Sequence, residues 1–285
     1  MTDVSVIIPV YGDHPYKATL EKVTALWLRQ SVPCEVIVAV AGTAGIPVAQ
    51  GAKVIRGDFP RPGPGILRNF GARHARSPWL YMTDRDVAPV GDDYLARALK
   101  LAAGRTLAQP WMHRVEHLGF DQDVLSRPRP ADPPYCYAVI DADGRLEPMG
   151  GEEIVWTEMD LENARLRVPG VKRPPRMKEI FGDGQPIQPA FAWGGLLLPN
   201  EVFFDLGGYC ERYVGWGGED DDMLVKVAGD GTVRRAWDLD RSLVCVHVEH
   251  THPHRRTDAY AANRALLKER RAMGHRRMIE EDGKR

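Results

Sequence analysis

The sequence predicts an α/β fold with a mostly parallel sheet flanked by helices. Short apolar runs rich in β-branched residues alternate with amphipathic segments of helical length through the first half of the chain. Parallel neighbours need a crossover between them, and a helix usually supplies it, so this alternation indicates one parallel sheet. The runs are apolar throughout, which is typical of strands covered on both faces.

The first half of the chain contains most of these strand–helix units. Leu20, Val23 and Trp27 share one face of the first helix, which begins at Pro15, and Gly104 ends the last helix of this half. Strands are predicted at Val4–Val10, Glu35–Val40, Val54–Ile55 and Trp79–Thr83, and helices at 15–30, Ile66–Arg76 and Asp92–Ala103.

The same pattern returns near the C-terminus. Strands are predicted at Phe191–Leu198 and Leu243–Val248, and helices at Glu201–Leu206, Met223–Ala228 and from Thr257 onward. The last helix is rich in Arg and Lys. This composition favours a solvated face over a basic patch for phosphate or nucleic acid.

Composition divides the chain into the segments 1–118, 119–189 and 190–285, which we expect to form one domain. The middle segment holds the proline-rich runs Arg127–Pro134 and Pro169–Pro175 and has weak periodicity. A loop segment of this length is usually functional or disordered. It is therefore predicted to be a mobile cover over the active site, with one helix near Glu158–Arg167. A surface insertion without a role is the alternative.

The overall composition is that of a folded globular protein. The chain has 285 residues, 44% of them hydrophobic, and its net charge of −1 excludes a global basic footprint for nucleic acid. No apolar run reaches the ~20 residues that span a bilayer, and the N-terminus lacks signal-peptide features. The four cysteines are scattered, which favours reduced thiols. We expect a cytoplasmic protein with no integral membrane segment and no nucleic-acid partner.

Acidic residues follow the fourth predicted strand. Asp84 and Asp86 come at its end, and ligands of parallel sheets bind at the carboxyl ends of strands. Two carboxylates at alternate positions suit a divalent cation, although turn chemistry is the alternative. An imidazole nearby would be a reasonable further ligand for Mn²⁺. Four histidines in or after the last strand are candidates, and spacing alone does not choose among them: His247, His250, His252 and His254.

A glycine-rich stretch, Gly63–Gly71, leads into a predicted helix. Backbone N–H groups at the start of a helix can hold phosphate oxygens, and Arg68 lies close by in sequence. The stretch matches neither a P-loop nor a dinucleotide fingerprint. A tight turn with close helix packing explains the glycines equally well.

The run Gly215–Asp222 (GWGGEDDD) places four carboxylates together at a predicted helix start. Mutual repulsion raises their pKa values, and the helix dipole offsets part of that cost. A carboxylate with a raised pKa can accept a proton from a hydroxyl group. The glycines beside Trp216 predict a flexible stem for that ring. A helix cap alone would explain one or two of the acids.

Several of these motifs resemble known glycosyltransferases. Val4–Tyr11, Arg68-Asn-x-Gly71 and the DxD motif in Trp79–Asp86 are similar to family 2 inverting glycosyltransferases of the GT-A fold. Trp193-Gly-Gly195 and Gly215–Asp222 resemble the β-1,4-galactosyltransferases. The resemblance implies a GT-A-type (Rossmann-like) fold. It also implies metal-dependent, inverting transfer of a hexose or N-acetylhexosamine from a nucleoside-diphosphate sugar, with UDP-sugars favoured, to a hydroxyl of a saccharide, peptide or secondary metabolite.

The resemblance also implies roles for individual residues. Asp220 is the expected catalytic base. Asp86 and His250 are the expected ligands of Mn²⁺, with Mg²⁺ as the alternative, because Cys245-x-x-Val-x-His250 is similar to the metal-histidine strand of the polypeptide N-acetylgalactosaminyltransferases. The expected substrate-binding residues are Trp193, Trp216, Gly218, Glu219 and Asp221. The expected nucleotide-binding residues are Pro9, Tyr11, Thr43, Arg68 and Asp84.

One departure from family 2 leaves other functions open. Ala39–Thr43 stands where those enzymes usually carry an acid for the nucleobase or ribose, so Thr43 or backbone groups would have to replace it. A nucleotidyltransferase of related fold is an alternative, although Tyr11–His14 lacks the basic signature of that class. A non-catalytic module that binds a nucleotide sugar is the other alternative.

Overall fold

A computed structural model describes the greater part of the chain. The described residues are 2–12, 19–43, 45–102, 107–109, 111–115, 138–140, 146–148, 195–229, 233–235, 243–248 and 257–284. The strands are β1 (Val4–Val10), β2 (Cys34–Ala41), β3 (Lys53–Gly57), β4 (Trp79–Met82), β5 (Val87–Pro89), β6 (Leu107–Gln109), β7 (Trp111–Val115), β8 (Ala138–Ile140), β9 (Leu146–Pro148), β10 (Leu196–Pro199), β11 (Val233–Arg235) and β12 (Val244–Val248). The helices are α1 (Leu20–Leu28), α2 (Pro64–Arg73), α3 (Tyr94–Leu101), α4 (Asn200–Asp205), α5 (Glu219–Gly229), α6 (Asp258–Met273) and α7 (His275–Gly283).

A seven-stranded sheet forms the centre of the molecule, in the order β11-β6-β10-β4-β1-β2-β3. The β4-β1-β2-β3 half and the β11-β6 pair are parallel, whereas β10 runs antiparallel to both of its neighbours. The carboxyl ends of β4, β1 and β2 therefore share one edge. The predicted mostly parallel α/β sheet is confirmed.

Two apolar layers cover the two faces of this sheet. All seven residues of β1 are buried, and its alternate side chains point to opposite faces. Val6 and Ile8 pack in the layer that holds Trp27 of α1. Ile7 packs in the other layer, with Phe203 of α4 and Met223 of α5. Helices on both faces explain why the strands lack polar alternation.

Helix α2 approaches β1 closely at Gly71. A Cβ atom at this position would overlap Cγ2 of Ile7 in β1. Pro64 occupies the first turn of α2, where its missing N–H group and fixed φ are compatible with a helix. The helix begins two residues earlier than the predicted Ile66, and its C-terminal half is held against the strand.

A smaller sheet contains β5, which follows the turn at the carboxyl end of β4. Its order is β5-β12-β7, with β12 antiparallel to β5 and parallel to β7. Val87 of β5 lies opposite His247 of β12 in this register. The residues just before β5 are therefore brought next to the last strand. A separate antiparallel pair, β8 and β9, lies within the predicted middle segment.

Some sequence predictions fall wholly or partly outside the described residues. These are the start of the first helix, the helix near Glu158–Arg167, most of segment 119–189, Trp193, and three of the four histidines (His250, His252 and His254). The three-segment division of the chain stays a prediction. In the part of the chain that is described, no helix is both long and apolar enough to cross a bilayer.

Candidate active site

Asp84 and Asp86 leave the sheet at the carboxyl end of β4. The backbone N–H of Thr83 donates to the carbonyl of Ile7 at 3.1 Å, so the strand pairing with β1 extends to the residue before Asp84. The N–H of Val87 donates to the carbonyl of Asp84 at 3.2 Å and closes a turn. This turn separates the two acids: the Asp84 side chain is 36% exposed, whereas Asp86 is 7% exposed.

The register of β12 on β5 places His247 beside Asp86. Nε2 of His247 lies 3.7 Å from Oδ1 of Asp86, and both residues are buried. A carboxylate and an imidazole together form a donor set suited to Mn²⁺. The predicted ligand His250 lies outside the described residues. Among those that are described, no group of three metal-binding side chains is assembled.

Arg68 of α2 joins the DxD turn to the start of α5. Its side chain is fully buried, yet its terminal nitrogens contact three carboxylates. Nη2 donates to Oδ1 of Asp84 at 2.5 Å, and Nη1 donates to Oδ1 of Asp220 at 2.7 Å. Oε1 of Glu219 lies 3.5 Å from Nη1. The guanidinium carbon also lies 5.1 Å from the ring centroid of Tyr209.

The four acids of α5 have different surroundings. Asp220 faces Arg68, and Oδ2 of Asp221 lies 3.5 Å from Arg264 of α6. Asp222 is fully buried, pairs with Arg270 of α6 and accepts a hydrogen bond from Tyr213 at 3.1 Å. Each of these three acids has its own cation, which reduces the repulsion expected from the sequence. Asp222 is thereby part of the structural core and not of the open site.

Burial changes the acidity of the first two carboxyl groups. It raises the pKa of Asp220 to about 6, with Asp84 and Asp221 adding to the rise and Arg68 opposing it. Burial also raises the pKa of Glu219 well above its usual range, and the charge of Asp220 adds to that effect.

The GWGG segment packs against helix α6. Asn263 donates to the carbonyls of Val214 and Trp216 at 2.9 and 3.2 Å, and it accepts the N–H of Val214 at 3.2 Å. The Trp216 ring stacks on Tyr260 with centroids 5.4 Å apart. Gly217 has a φ of +100°, and a Cβ there would lie 2.9 Å from the Tyr260 ring. The sequence predicts a flexible stem for Trp216. In the structure, Gly217 instead permits a positive φ and close packing on the Tyr260 ring.

The remaining predicted residues differ in their position in the fold and in their burial. Tyr11 follows β1, and burial raises its pKa, with the charges of Glu219 and Asp84 adding to the rise. Thr43 is exposed after β2, whereas Pro9 is buried within β1. Gly218 has a φ of +99° and packs on Tyr213. Roles in nucleotide or substrate binding stay predictions for these residues.

The sequence predictions do not include several side chains at this site, of which Tyr209, Tyr260 and Asn263 are examples. Tyr209 lies under Arg68, Tyr260 stacks on Trp216, and Asn263 holds the GWGG backbone. Tyr260 and Asn263 share a helical face with Leu267 and Arg270, at intervals of three or four residues. That spacing marks a buried face of α6, but it does not reveal what the face contacts.

Comparison with family models agrees with the resemblance seen in the sequence. Residues 186–251 match the model described as the N-terminal domain of galactosyltransferase. The matched span covers less than half of the chain, but it includes the acids of α5 and His247. A comparison with curated protein sequences found no match.

Solved structures of glycosyltransferases are similar to most of the chain. GalNAc-T7 with UDP, GalNAc and Mn²⁺ has 16% identity over 94% of this chain and 48% of its own, with a TM-score of 0.52. S. aureus TarS has 12% identity over 93% and 39%, with a TM-score of 0.53. The catalytic domain of Drosophila beta1,4galactosyltransferase 7 with xylobiose has 16% identity over 93% and 80%, with a TM-score of 0.46.

This chain spans less than half of GalNAc-T7 and of TarS. The similarity to these two structures shows the fold. The chain has the GT-A fold of glycosyltransferases, and the segment that matches the galactosyltransferase model carries the acids of its candidate active site.

Proposed function

We propose that this protein is a metal-dependent, inverting glycosyltransferase. It would move a hexose or N-acetylhexosamine from a nucleoside-diphosphate sugar, with UDP-sugars favoured, to an acceptor hydroxyl. The contacts of Asp84, Glu219 and Asp220 with Arg68 carry this proposal. The fold brings Arg68 and Asp220 together although 152 positions separate them in sequence. The match to the galactosyltransferase model supports the choice of reaction.

Asp86 and His247 are the described residues that we propose as metal ligands. Their carboxylate and imidazole fit Mn²⁺ or Mg²⁺, with a preference for Mn²⁺ because a nitrogen donor is present. GalNAc-T7, which shares the fold, was solved with Mn²⁺ and UDP. The metal would neutralise charge on the departing diphosphate. His250 stays a predicted further ligand.

Asp220 is the proposed general base. It would take the proton of the acceptor hydroxyl while that oxygen bonds to the anomeric carbon on the face opposite the departing diphosphate, which inverts the configuration. With a pKa of about 6, Asp220 is ionised at neutral pH and still basic enough to accept a proton. Placement of the two reactants supplies most of the remaining rate enhancement.

The acceptor side of the site would include Trp216. Its ring is half-buried, stacks on Tyr260 and shortly precedes the acids of α5 in sequence, and we expect its other face to contact a sugar ring or other flat acceptor. A saccharide, a peptide and a secondary metabolite remain the candidate acceptors, and a cytoplasmic location remains a prediction.

The Asp220→Asn variant tests the proposal. We expect transfer from UDP-galactose to fall by about 10²–10⁴-fold, since general base catalysis supplies about that factor. Stabilisation of the protein by UDP-galactose with Mn²⁺, measured by thermal shift, should change by only a few-fold in apparent Kd. Asp3→Asn is the matched control, because Asp3 is exposed at the opposite, amino end of β1. Unchanged turnover in Asp220→Asn would remove this residue from the role.

Metal removal is a second test of the same proposal. Dialysis against EDTA should abolish transfer, and Mn²⁺ should restore it. The Mn²⁺-dependent part of the thermal stabilisation by UDP should also disappear in Asp86→Asn and His247→Ala. Full activity in excess EDTA would contradict the metal assignment. Release of pyrophosphate in place of UDP would indicate a nucleotidyltransferase.

A further inference from the structure

The Arg68 guanidinium is placed to hold carboxylates of this protein. It is fully buried, and its two terminal nitrogens are taken up by Asp84 and Asp220 at 2.5 and 2.7 Å. Its face lies over the Tyr209 ring. A planar, forked cation in this position can bridge two acids with fixed geometry, which a single ammonium cannot do.

The backbone around Arg68 is fixed by its neighbours in sequence. Asn69 donates to the carbonyl of Tyr209 and accepts its N–H, both at 2.8 Å. Gly71 holds the same helix against β1. The Arg-Asn-x-Gly motif therefore has one function for each named residue: Arg68 bridges two acids, Asn69 fixes the segment under it, and Gly71 permits the close approach.

The contact distances indicate which of the nearby carboxylates Arg68 binds. One guanidinium faces three carboxyl groups, and its hydrogen bonds go to Asp84 and Asp220 at 2.5 and 2.7 Å, whereas Glu219 lies farther away at 3.5 Å. Burial raises the pKa of Asp220, whereas the nearby charge of Arg68 lowers it. Arg68 therefore supplies the counter-charge of Asp220 and bridges that residue to Asp84.

We propose that Arg68 is a positioning residue, which fixes the orientation of the Asp220 carboxylate and ties it to the DxD turn through Asp84. Its guanidinium would not bind the donor diphosphate. This inference rests on the proposed function for the role of Asp220 as the base. The charged and titratable groups that face Asp220 come from α2, the turn after β4, α5 and the segment after α4: Arg68, Asp84, Glu219, Asp221 and Tyr209.

The first test separates positioning from donor binding. In Arg68→Met we expect kcat for transfer from UDP-galactose to fall about 100-fold, the scale of a misplaced catalytic group. The Kd of UDP-galactose with Mn²⁺ should stay within threefold, and the acidic limb of the pH profile should move above pH 6 because Asp220 loses its cation. Arg73→Met, on the same helix with a half-exposed side chain, should change none of these.

Arg68→Lys distinguishes charge from geometry. It should leave the acidic limb near pH 6, since a cation remains, while kcat stays well below that of the wild-type protein because lysine cannot bridge both acids. A loss of donor affinity of tenfold or more in either variant, with kcat kept, would overturn the inference and make Arg68 a ligand of the diphosphate.

A second test does not depend on activity. Unfolding by urea is measured for Arg68→Lys, Asp220→Asn and the double variant, at neutral pH. Non-additive effects would show that the two side chains act as a unit, even in a protein that transferred no sugar. Additive effects would overturn the inference. Absence of transfer by the wild-type protein, with the coupling present, would instead contradict the proposed function.

Discussion

Each carboxylate at the start of α5 is defined by the residue opposite it. Asp220 pairs with Arg68 and its side chain is 17% exposed, whereas Asp222 is fully buried between Arg270 and Tyr213. Neighbouring acids on one helical turn point in different directions, so they meet different partners. Among the four acids of this turn, Asp220 and Asp221 are therefore the ones whose side chains are most accessible to solvent.

The acidity of Asp220 predicts how transfer depends on pH. The base must be ionised to accept a proton, and burial raises its pKa from the usual value for aspartate to about 6. Activity should therefore be full above that pH and fall as the pH drops through about 6. The profile of kcat/KM for UDP release between pH 4.5 and 8 checks this. Constant kcat/KM down to pH 4.5 would contradict the assignment of Asp220 as the base.

Helix α2 connects the sheet to the site. Asn69 and Gly71 anchor it to the Tyr209 segment and to Ile7 of β1, and Arg68 projects from it toward α5. The backbone N–H of Gly215 also donates to the carbonyl of Pro62, just before this helix, at 2.8 Å. The glycine-rich entry to α2 is thus packed against the GWGG segment. A change in the packing of α2 should therefore disturb both the DxD turn and the start of α5, because Arg68 contacts both.

Substitution of Gly71 tests that packing. Gly71→Ala should lower the free energy of unfolding by about 1–3 kcal/mol, the usual cost of forcing an extra methyl group into a filled core. The new methyl would overlap Ile7. Gly45→Ala is the matched control, because nothing lies within 4 Å of a Cβ at Gly45, and it should be neutral or slightly stabilising. Urea denaturation measures both; equal effects would contradict the close approach of α2 and β1.

At the scale of the whole molecule, a buried ionic network holds α5 in place. Lys226 of α5 pairs with Asp282 of α7 at 2.8 Å and donates to the carbonyl of Leu206 at 3.1 Å. Asp282 also pairs with Arg270 of α6 at 2.5 Å, and Arg270 pairs in turn with Asp222. The C-terminal helices therefore fix the helix that carries the proposed base.

Removal of Asp282 should destabilise the fold strongly. Two buried cations would lose a partner, and breaking a buried ion pair from one side costs about 3–5 kcal/mol. Glu280→Ala, at an exposed position of the same helix, is the control and should be close to neutral. Free energies of unfolding from urea titrations give the comparison. A loss below about 1 kcal/mol in Asp282→Ala would mean that α5 is held by other contacts.

Local patterns predict the long buried elements well. β1 lies at the predicted residues, and α2 is displaced by two or three, because an unbroken apolar run and a helical period are strong signals. β5 and β6 have three residues each and carry too little pattern to be found. Nor does an apolar run reveal direction, so the antiparallel placement of β10 is visible only in the sheet.

The site shows the same division between local and long-range information. The acids of α5 and the DxD turn are evident as motifs, and the helix begins at Glu219 because acidic residues suit its first turn. Arg68 and Asp220 are far apart in sequence, so no local pattern predicts that they are in contact. His247 lies beside Asp86 because of the β5–β12 register, which spacing along the chain does not disclose.

The central claim is that the DxD turn, His247 and Asp220 act on one sugar nucleotide. A crystal structure of Asp220→Asn with Mn²⁺ and intact UDP-galactose tests it most directly. We expect the metal ion on Asp86 and His247, the diphosphate at that ion, and the anomeric carbon facing the side chain of residue 220. A sugar nucleotide bound elsewhere, or a metal ion that contacts neither Asp86 nor His247, would contradict the claim.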